Sequence, residues 1–441
     1  MPSIAHDHTA PRVAFITLGC AKNEADSARM RALLEAGGYE VIAEVDKADI
    51  AIINTCGFIT EATEESIDSI FDLIRDWLPN DSARHLVVTG CLTSRYGADL
   101  VSELDEVALF ISVEDEERIC ELLGKVTSIA SLDRPAIRKA QGPSEFVKIA
   151  DGCDRLCSYC TIPAIRGPYR SRTLADIASE VRTLVDTGAR EIVLVAQDSS
   201  RYGSDLQDGV TLVTLIDELC RIDALAWLRI LYIQPDGLTD ELLDCIERNP
   251  KVCRYFEIPL QHVEERILRH MGRSGSGRVF AEKLARIRER FDDAVIRTTL
   301  IAGYPTETDA EFSALLAFIE QGAFDYVGVF AYSPEEGTPA AEEEGQIVES
   351  LRLSRANRLR RIADEIGIDR ASRRVGDLLD VLVEERDESG FWQGRHRGQA
   401  PDIDGMVLIR PPVFDSLESG MILPIRIDDA VLYDLEGEPS Q

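Results

Sequence analysis

Short apolar runs, each closing in a turn, alternate along this chain with stretches in which apolar positions recur every three or four residues. Near the amino terminus RVAFITLGC, ADIAIINTC and RHLVVTGC end at Cys20, Cys56 and Cys91, 36 and 35 residues apart. The segments between them, EADSARMRALLEAGG and Glu61 to Ile74, carry helical spacing. Strands alternating with helices predict a parallel sheet with right-handed crossovers. The carboxyl ends of such strands form the binding crevice, so three cysteines at three strand ends are predicted to converge on one side. The bland alternative is three buried core thiols, because free cysteine is often fully buried. Against it, each cysteine stands beyond its apolar run in a turn: Leu18-Gly19-Cys20, Asn54-Thr55-Cys56-Gly57 and Thr89-Gly90-Cys91.

The periodicity lapses from Ile129 to Ser144, where prolines and a glycine mark a linker. A second alternating series follows, with strands predicted at FVKIADGC, EIVLVAQDS, WLRILYIQP, YFEIPLQH, AVIRTTLIAGYP and YVGVFAYS. Six β-α units suggest a partly closed barrel, with its polar motifs at the strands' carboxyl ends. Glu342 to Arg374 reads as one or two charged helices, locally basic, and a solvated face carrying salt bridges is the simpler reading. After Gly376 short β-rich runs with Gly, Pro and Asp between them predict a small five-stranded barrel.

Bulk properties narrow the function. At 441 residues there is room for about three domains, and 45% hydrophobic with 6% aromatic content is ordinary for a globular chain. The opening MPSIAHDHTAPR has no apolar core of a leader, and no segment nears the roughly 20 apolar residues of a membrane span, so a cytoplasmic protein is expected. Ten cysteines could form disulfides, but a chain of this size with thiols clustered at strand ends favours metal or redox roles. A net charge of -31 favours a basic protein partner over free nucleic acid. The final segment alone holds 15 acidic and 5 basic residues, which argues against the nucleic-acid role usual for a barrel of that shape.

A second three-thiol set lies in DGCDRLCSYCTIPAIRG, where Cys153, Cys157 and Cys160 follow a strand within one loop. Zinc sites normally use four ligands in all. Three thiolates without a fourth Cys or His in the loop suit a cubane iron–sulfur cluster with one iron left open. The Cys-x3-Cys-x2-Cys spacing, with Tyr159 before the last cysteine, resembles the radical S-adenosylmethionine (SAM) enzymes. Taken in order, the strand-end cysteines, the triplet loop and the terminal barrel resemble the methylthiotransferases. That resemblance implies an α/β chain of three domains and a linker: a parallel-sheet auxiliary-cluster domain over 11–128, a linker over 129–144, a partial (β/α)6 radical SAM barrel over 145–374 and an all-β TRAM barrel over 375–441. LGCAKNEADS, AQDSSRYG, IPLQH and YSPEEGTPA are similar to the branch that modifies an aspartate of small-ribosomal-subunit protein twelve, whereas IQPDG and MGRSGSG depart from it.

The resemblance implies two [4Fe-4S] clusters, one on Cys153, Cys157 and Cys160 and an auxiliary one on Cys20, Cys56 and Cys91. SAM would chelate the open iron of the first and be cleaved by an electron from a reducing donor. The 5'-deoxyadenosyl radical would take hydrogen from the aspartate β-carbon, sulfur would arrive through the auxiliary cluster, and another SAM would supply the methyl group. Methylthiolation of a tRNA adenosine is the runner-up, and a non-catalytic electron carrier or zinc scaffold the reading from another class. Gln197 and Asp198 are expected near the SAM amino group or ribose. Gln261 and His262 end the PLQH strand, His262 being as well explained as a structural histidine. Gly303 could admit the adenine or simply make a turn, and Arg273 could pair with a carboxylate or face water. Cys120, Cys220, Cys245 and Cys253 are assigned to the core.

Overall fold

The computed structural model describes residues 10–127, 132, 134–387, 389–410 and 417–440. Most of the linker's opening residues, 129–131 and 133, and the amino-terminal stretch before residue 10 lie outside them. The chain forms two compact units, one of Met1–Lys139 with Thr161–Pro168, the other of Ala140–Cys160 with Tyr169–Gln441. No helix among the described residues is long and apolar enough to cross a membrane.

In the first unit, β1 (Arg12–Thr17), β2 (Glu40–Ile42), β3 (Ile50–Thr55), β4 (His85–Gly90) and β5 (Leu109–Ile111) form one parallel sheet in the order β2-β1-β3-β4-β5. Helices α1 (Ala21–Gly37), α2 (Thr60–Asp72), α3 (Cys91–Glu103), α4 (Ile119–Thr127) and the short α5 (Ile162–Arg166) complete it. Every residue of β3 is buried, as a strand covered on both faces must be. Its alternation feeds two cores: Ile50 and Ile52 pack with Val13, Met30 and Val87, whereas Ala51 and Ile53 pack with Leu86, Val88 and Trp77.

The second unit opens with β6 (Ser144–Lys148), followed by the β7 (Ala150–Asp151) and β8 (Arg170–Ser171) pair. Then come α6 (Leu174–Asp186), β9 (Glu191–Val195), α7 (Leu212–Cys220), β10 (Trp227–Ile230), α8 (Asp240–Arg248) and β11 (Tyr255–Glu257). The series ends with α9 (Glu265–His270), α10 (Gly277–Arg290), β12 (Val295–Ala302), α11 (Asp309–Glu320), β13 (Tyr326–Ala331) and α12 (Glu349–Ser372). Parallel ladders β6-β9-β10 and β11-β12-β13 meet through hydrogen bonds from Leu228 N to Lys251 O and from Ile233 N to Glu257 O. The six strands therefore stand in one row, the partly closed barrel expected from the sequence. One difference concerns α12, whose Ala356, Leu359 and Ala363 enter the large core. The solvated-face reading describes only its outer side.

β14 (Leu378–Arg386), β15 (Trp392–His396), β16 (Val407–Ile409), β17 (Ile422–Val431) and β18 (Asp434–Pro439) close into a small barrel in the order β14-β15-β16-β18-β17. A buried charge network, crossed by Arg395–Glu191 and Arg297–Asp404, joins it to the large one. Arg395 reaches Glu191 at 2.6 Å and Glu384 at 2.6 Å, Arg229 reaches Glu191 at 2.8 Å, and Arg297 reaches Asp404 at 2.6 Å. Glu191 and Tyr255 open their strands, and Tyr255 Oη donates to Asp404. The small barrel thus packs on the amino ends of the large barrel's strands, the face that serves stability in such folds.

Burial alone would push the Glu191 carboxyl up, but Arg395 and Arg229 outweigh it and hold its pKa at about 2. Because the folded value lies below the roughly 4.3 of an unfolded Glu, this network stabilises the fold above about pH 4, and the contribution is lost as pH falls towards 2. Removing one partner of a buried pair typically costs about 3–5 kcal/mol. Arg395→Met is accordingly expected to lower stability at pH 7 by that order in urea titrations, and to lose less than the parent between pH 4.5 and 2.

Candidate functional site

Three adjacent central strands deliver the first thiol set. β1 leads through Leu18-Gly19 to Cys20 at the start of α1, β3 runs directly into Cys56, and β4 into Cys91, the first residue of α3. Gly19 has φ +98°, and a Cβ there would stand 2.8 Å from Cys56 Cβ and 3.2 Å from its Sγ. Only glycine combines that backbone with so close an approach. Cys56 and Cys91 are buried and Cys20 is half-buried, so the core assignment and the ligand assignment both predicted concealment. Their surroundings decide between them.

Polar groups crowd the three sulfurs. Asn23 Nδ2 donates to Leu18 O at 2.7 Å and to Thr55 O at 3.1 Å, which turns its Oδ1 towards the thiols. That oxygen stands 4.0 Å from both Cys20 Sγ and Cys91 Sγ and accepts a 3.0 Å hydrogen bond from Arg166 Nη2. Arg166 Nη1 pairs with Asp26 at 2.9 Å, both side chains being fully buried. Burial pushes Cys20 up, yet the Lys22 and Arg166 charges and nearby backbone donors bring it below its ordinary value. Burial raises Cys56, and it raises Cys91 to about 11. The Cys20 charge raises Cys56 and Cys91 further. The core thiol Cys253 also stands among arginines, yet burial keeps its pKa raised, whereas that of Cys20 is lowered. Among the described residues no three His, Cys, Asp or Glu side chains close on one point as a single ion's ligands would.

The second set lies in the loop beyond β6 and β7. Cys153, Cys157 and Cys160 are all half-buried. The loop is folded on itself, with Cys160 N donating to Cys157 O at 3.1 Å and Arg155 N to Cys153 Sγ at 3.4 Å. Burial raises Cys153, and the Cys157 charge adds to that. Arg273 Nη1 stands 3.9 Å from Cys157 Sγ, while its Nη2 donates to Gln234 Oε1 at 2.6 Å and Pro259 O at 2.7 Å. It therefore faces the thiol loop and not water.

Other expected residues divide. Gln197 follows β9, and its Oε1 is buried without a hydrogen-bond partner, while Nε2 reaches Asp151 at 3.4 Å. An orphaned buried acceptor beside the thiol loop fits the donor-rich ammonium of an amino acid such as that of SAM. Asp198 is buried and bonded to Arg155 Nε at 2.6 Å and to Ser200, so it holds the loop from beneath. Gln261 has φ +69° between two backbone hydrogen bonds to β12, a strained conformation that a non-glycine residue adopts only when the surroundings impose it. His262 is fully buried; its Nδ1 accepts from Glu264 N at 3.0 Å and its Nε2 stands 3.4 Å from Glu307. One ring nitrogen is thereby fixed, while Nε2 is buried without a hydrogen-bond partner. At Gly303, φ is +78° and a Cβ would meet Arg352 at 2.7 Å, so its bareness admits α12. Of the four remaining cysteines, Cys245 and Cys253 are buried, and Cys120 and Cys220 half-buried.

Asn23 and Arg166 escaped the sequence reading. Asn23 lies in the quoted LGCAKNEADS, but nothing local shows that its amide faces thiols. Arg166 joins that site across 143 residues. Its only sequence signal is its place just past the Cys triplet.

Comparison with known proteins covers nearly all of the chain. Residues 12–112 match the family described as uncharacterized protein family UPF0004, 147–319 the radical SAM superfamily, and 375–439 the TRAM domain. The ribosomal protein uS12 methylthiotransferase RimO of Syntrophotalea carbinolica is 42% identical, with 97% of this chain and 96% of that protein covered. Its namesake in Geobacter sulfurreducens is 42% identical over 97% and 98%, and that of Caldicellulosiruptor saccharolyticus 38% over 97% and 99%. Among solved structures, the radical SAM methyltransferase TsrM from Kitasatospora setae shares the fold with a TM-score of 0.54 at 16% identity, covering 87% of this chain and 81% of that one.

The thiol environments predict an order of reactivity in metal-free protein. Cys20, the half-buried thiol with the lowered pKa, should be alkylated by iodoacetamide before Cys56 and Cys91 at pH 7.5, as read by peptide mass mapping. Equal rates for all three would contradict the electrostatics described.

Proposed function

This chain belongs to the ribosomal protein uS12 methylthiotransferases, and from that membership we propose that it inserts a methylthio group at the β-carbon of an aspartate of that ribosomal protein. The observation that carries the reading is the pairing of two separate thiol trios, one at the ends of β1, β3 and β4 and one in the loop after β6 and β7. When bound, two [4Fe-4S] clusters and SAM supply a 5'-deoxyadenosyl radical for hydrogen removal, a route for sulfur, and a methyl group.

The residues divide the remaining labour. Cys153, Cys157 and Cys160 would hold the first cluster, and Cys20, Cys56 and Cys91 the second. Gln197 offers its unpartnered Oε1 to the SAM ammonium. Arg273, already fixed by Gln234 and Pro259, is placed to receive an anionic group beside Cys157. Gln261 lines the same carboxyl-end surface of the large barrel, whereas Asp198, His262 and Gly303 support it from behind. Arg155 bridges Asp198 and Asp236 at 2.6 and 2.9 Å and so stiffens the thiol loop that it belongs to. The strongly acidic surface suits a basic ribosomal protein. A low-potential reducing donor and a cytoplasmic setting, where that substrate is found, complete the proposal.

Purified protein, reconstituted anaerobically and reduced with dithionite, is expected to form 5'-deoxyadenosine and to methylthiolate the ribosomal protein, as read by chromatography and mass spectrometry. Cys157→Ala should abolish both, while Cys91→Ala should still cleave SAM without yielding the methylthio product. Product on tRNA alone would move the substrate to an adenosine. Absence of SAM cleavage in fully loaded protein would reject the enzymatic reading in favour of an electron carrier. A separate loss is expected for Gln197→Ala: a KM for SAM raised about tenfold, the order of one buried hydrogen bond to a charged group.

A further inference from the structure

We infer that Arg166 is a positioning residue of the auxiliary site, a built-in counter-charge that holds the cluster on Cys20, Cys56 and Cys91 in its electron-rich or sulfur-ligated form. The inference rests on the function proposed above and deepens it.

Arg166 closes α5 with a guanidinium that is 1% exposed. A buried arginine is costly unless matched, and its position shows what it is matched to. One edge, through Nη1, pairs with Asp26 at 2.9 Å. The other edge, through Nη2, bonds Asn23 Oδ1 at 3.0 Å, and that same oxygen stands 4.0 Å from Cys20 Sγ and from Cys91 Sγ. The same guanidinium also hydrogen-bonds the Cys91 sulfur. If Arg166 served only to hold α5, Asp26 would suffice as its partner, and nothing would require a second edge among the sulfurs.

Charge arithmetic gives that edge a purpose. Three thiolates around an oxidised four-iron cube leave the assembly net negative, and either an added electron or an anionic sulfur ligand at the open iron makes it more so. In a buried site each such charge is destabilised by desolvation unless a fixed cation and donors to sulfur compensate it. Asp26 prevents the opposite fault, an unpaired arginine when the site is empty. Arg166 follows Cys160 by six residues. One continuous stretch thereby carries the last thiol of one set and the cation of the other.

The test reads the auxiliary cluster alone, in the full-length Cys157→Ala protein, by redox titration followed with electron paramagnetic resonance. Arg166→Gln, and the double variant Asp26→Asn with Arg166→Gln that leaves no buried charge unpaired, should shift the midpoint to more negative potential and alter the spectrum. Arg166→Lys should restore part of the shift. With Cys157 present, the methylthio product formed per 5'-deoxyadenosine should fall at least tenfold in the Gln variants. Retention of iron by the Lys variant alone would also support a requirement for the cation. An unchanged midpoint and spectrum in a folded, iron-loaded Gln variant would overturn this inference and leave the proposed function standing. Failure of the Cys157→Ala parent to hold a cluster on Cys20, Cys56 and Cys91 would overturn both.

Discussion

Parallel strands deliver all their carboxyl ends to the same edge of a sheet, and both candidate centres depend on that constraint. In the first unit, three strands that are neighbours in the sheet end at three cysteines, so thiols 35 and 36 residues apart in sequence become one set. In the second, the thiol loop after β6, Gln197 after β9, Gln234 after β10 and Gln261 after β11 gather at one end of the barrel by the same rule. The opposite end is left free for the small barrel.

Buried polar groups gather at both ends of the large barrel. At the amino ends, Glu191 meets Arg395 and Arg229 and Asp404 meets Arg297 and Tyr255, so charges are matched and the small barrel is fixed in place. At the carboxyl ends Gln197 keeps a buried oxygen without a hydrogen-bond partner, and Gln261 adopts a strained backbone. Natural folds accept unmatched polarity and strain mainly where a ligand completes them. At the auxiliary site Arg166 is paired with Asp26 on one edge and with Asn23, beside the sulfurs, on the other.

Periodicity made the strand-helix alternation and both barrels readable, because it reports local burial, and the Gly and Asn turns before Cys20, Cys56 and Cys91 marked them as strand-end residues. What escaped depends on groups distant in sequence. Arg166 beside Asn23, Arg395 on Glu191 and Arg352 against Gly303 are pairings with no local pattern. The same reason explains His262, which closes a polar strand end in sequence yet is enclosed with Glu307 in the fold, and α12, whose charged composition hides the Ala356, Leu359 and Ala363 stripe that enters the core.

The central claim is that each thiol trio holds a four-iron cluster with one iron not bound to protein sulfur. Mössbauer spectroscopy of protein reconstituted with iron-57 tests it most directly. The account predicts two cubane clusters, with SAM altering the signal of one unique iron and exogenous sulfide that of another. A single cluster, or irons all indifferent to both additions, would contradict it.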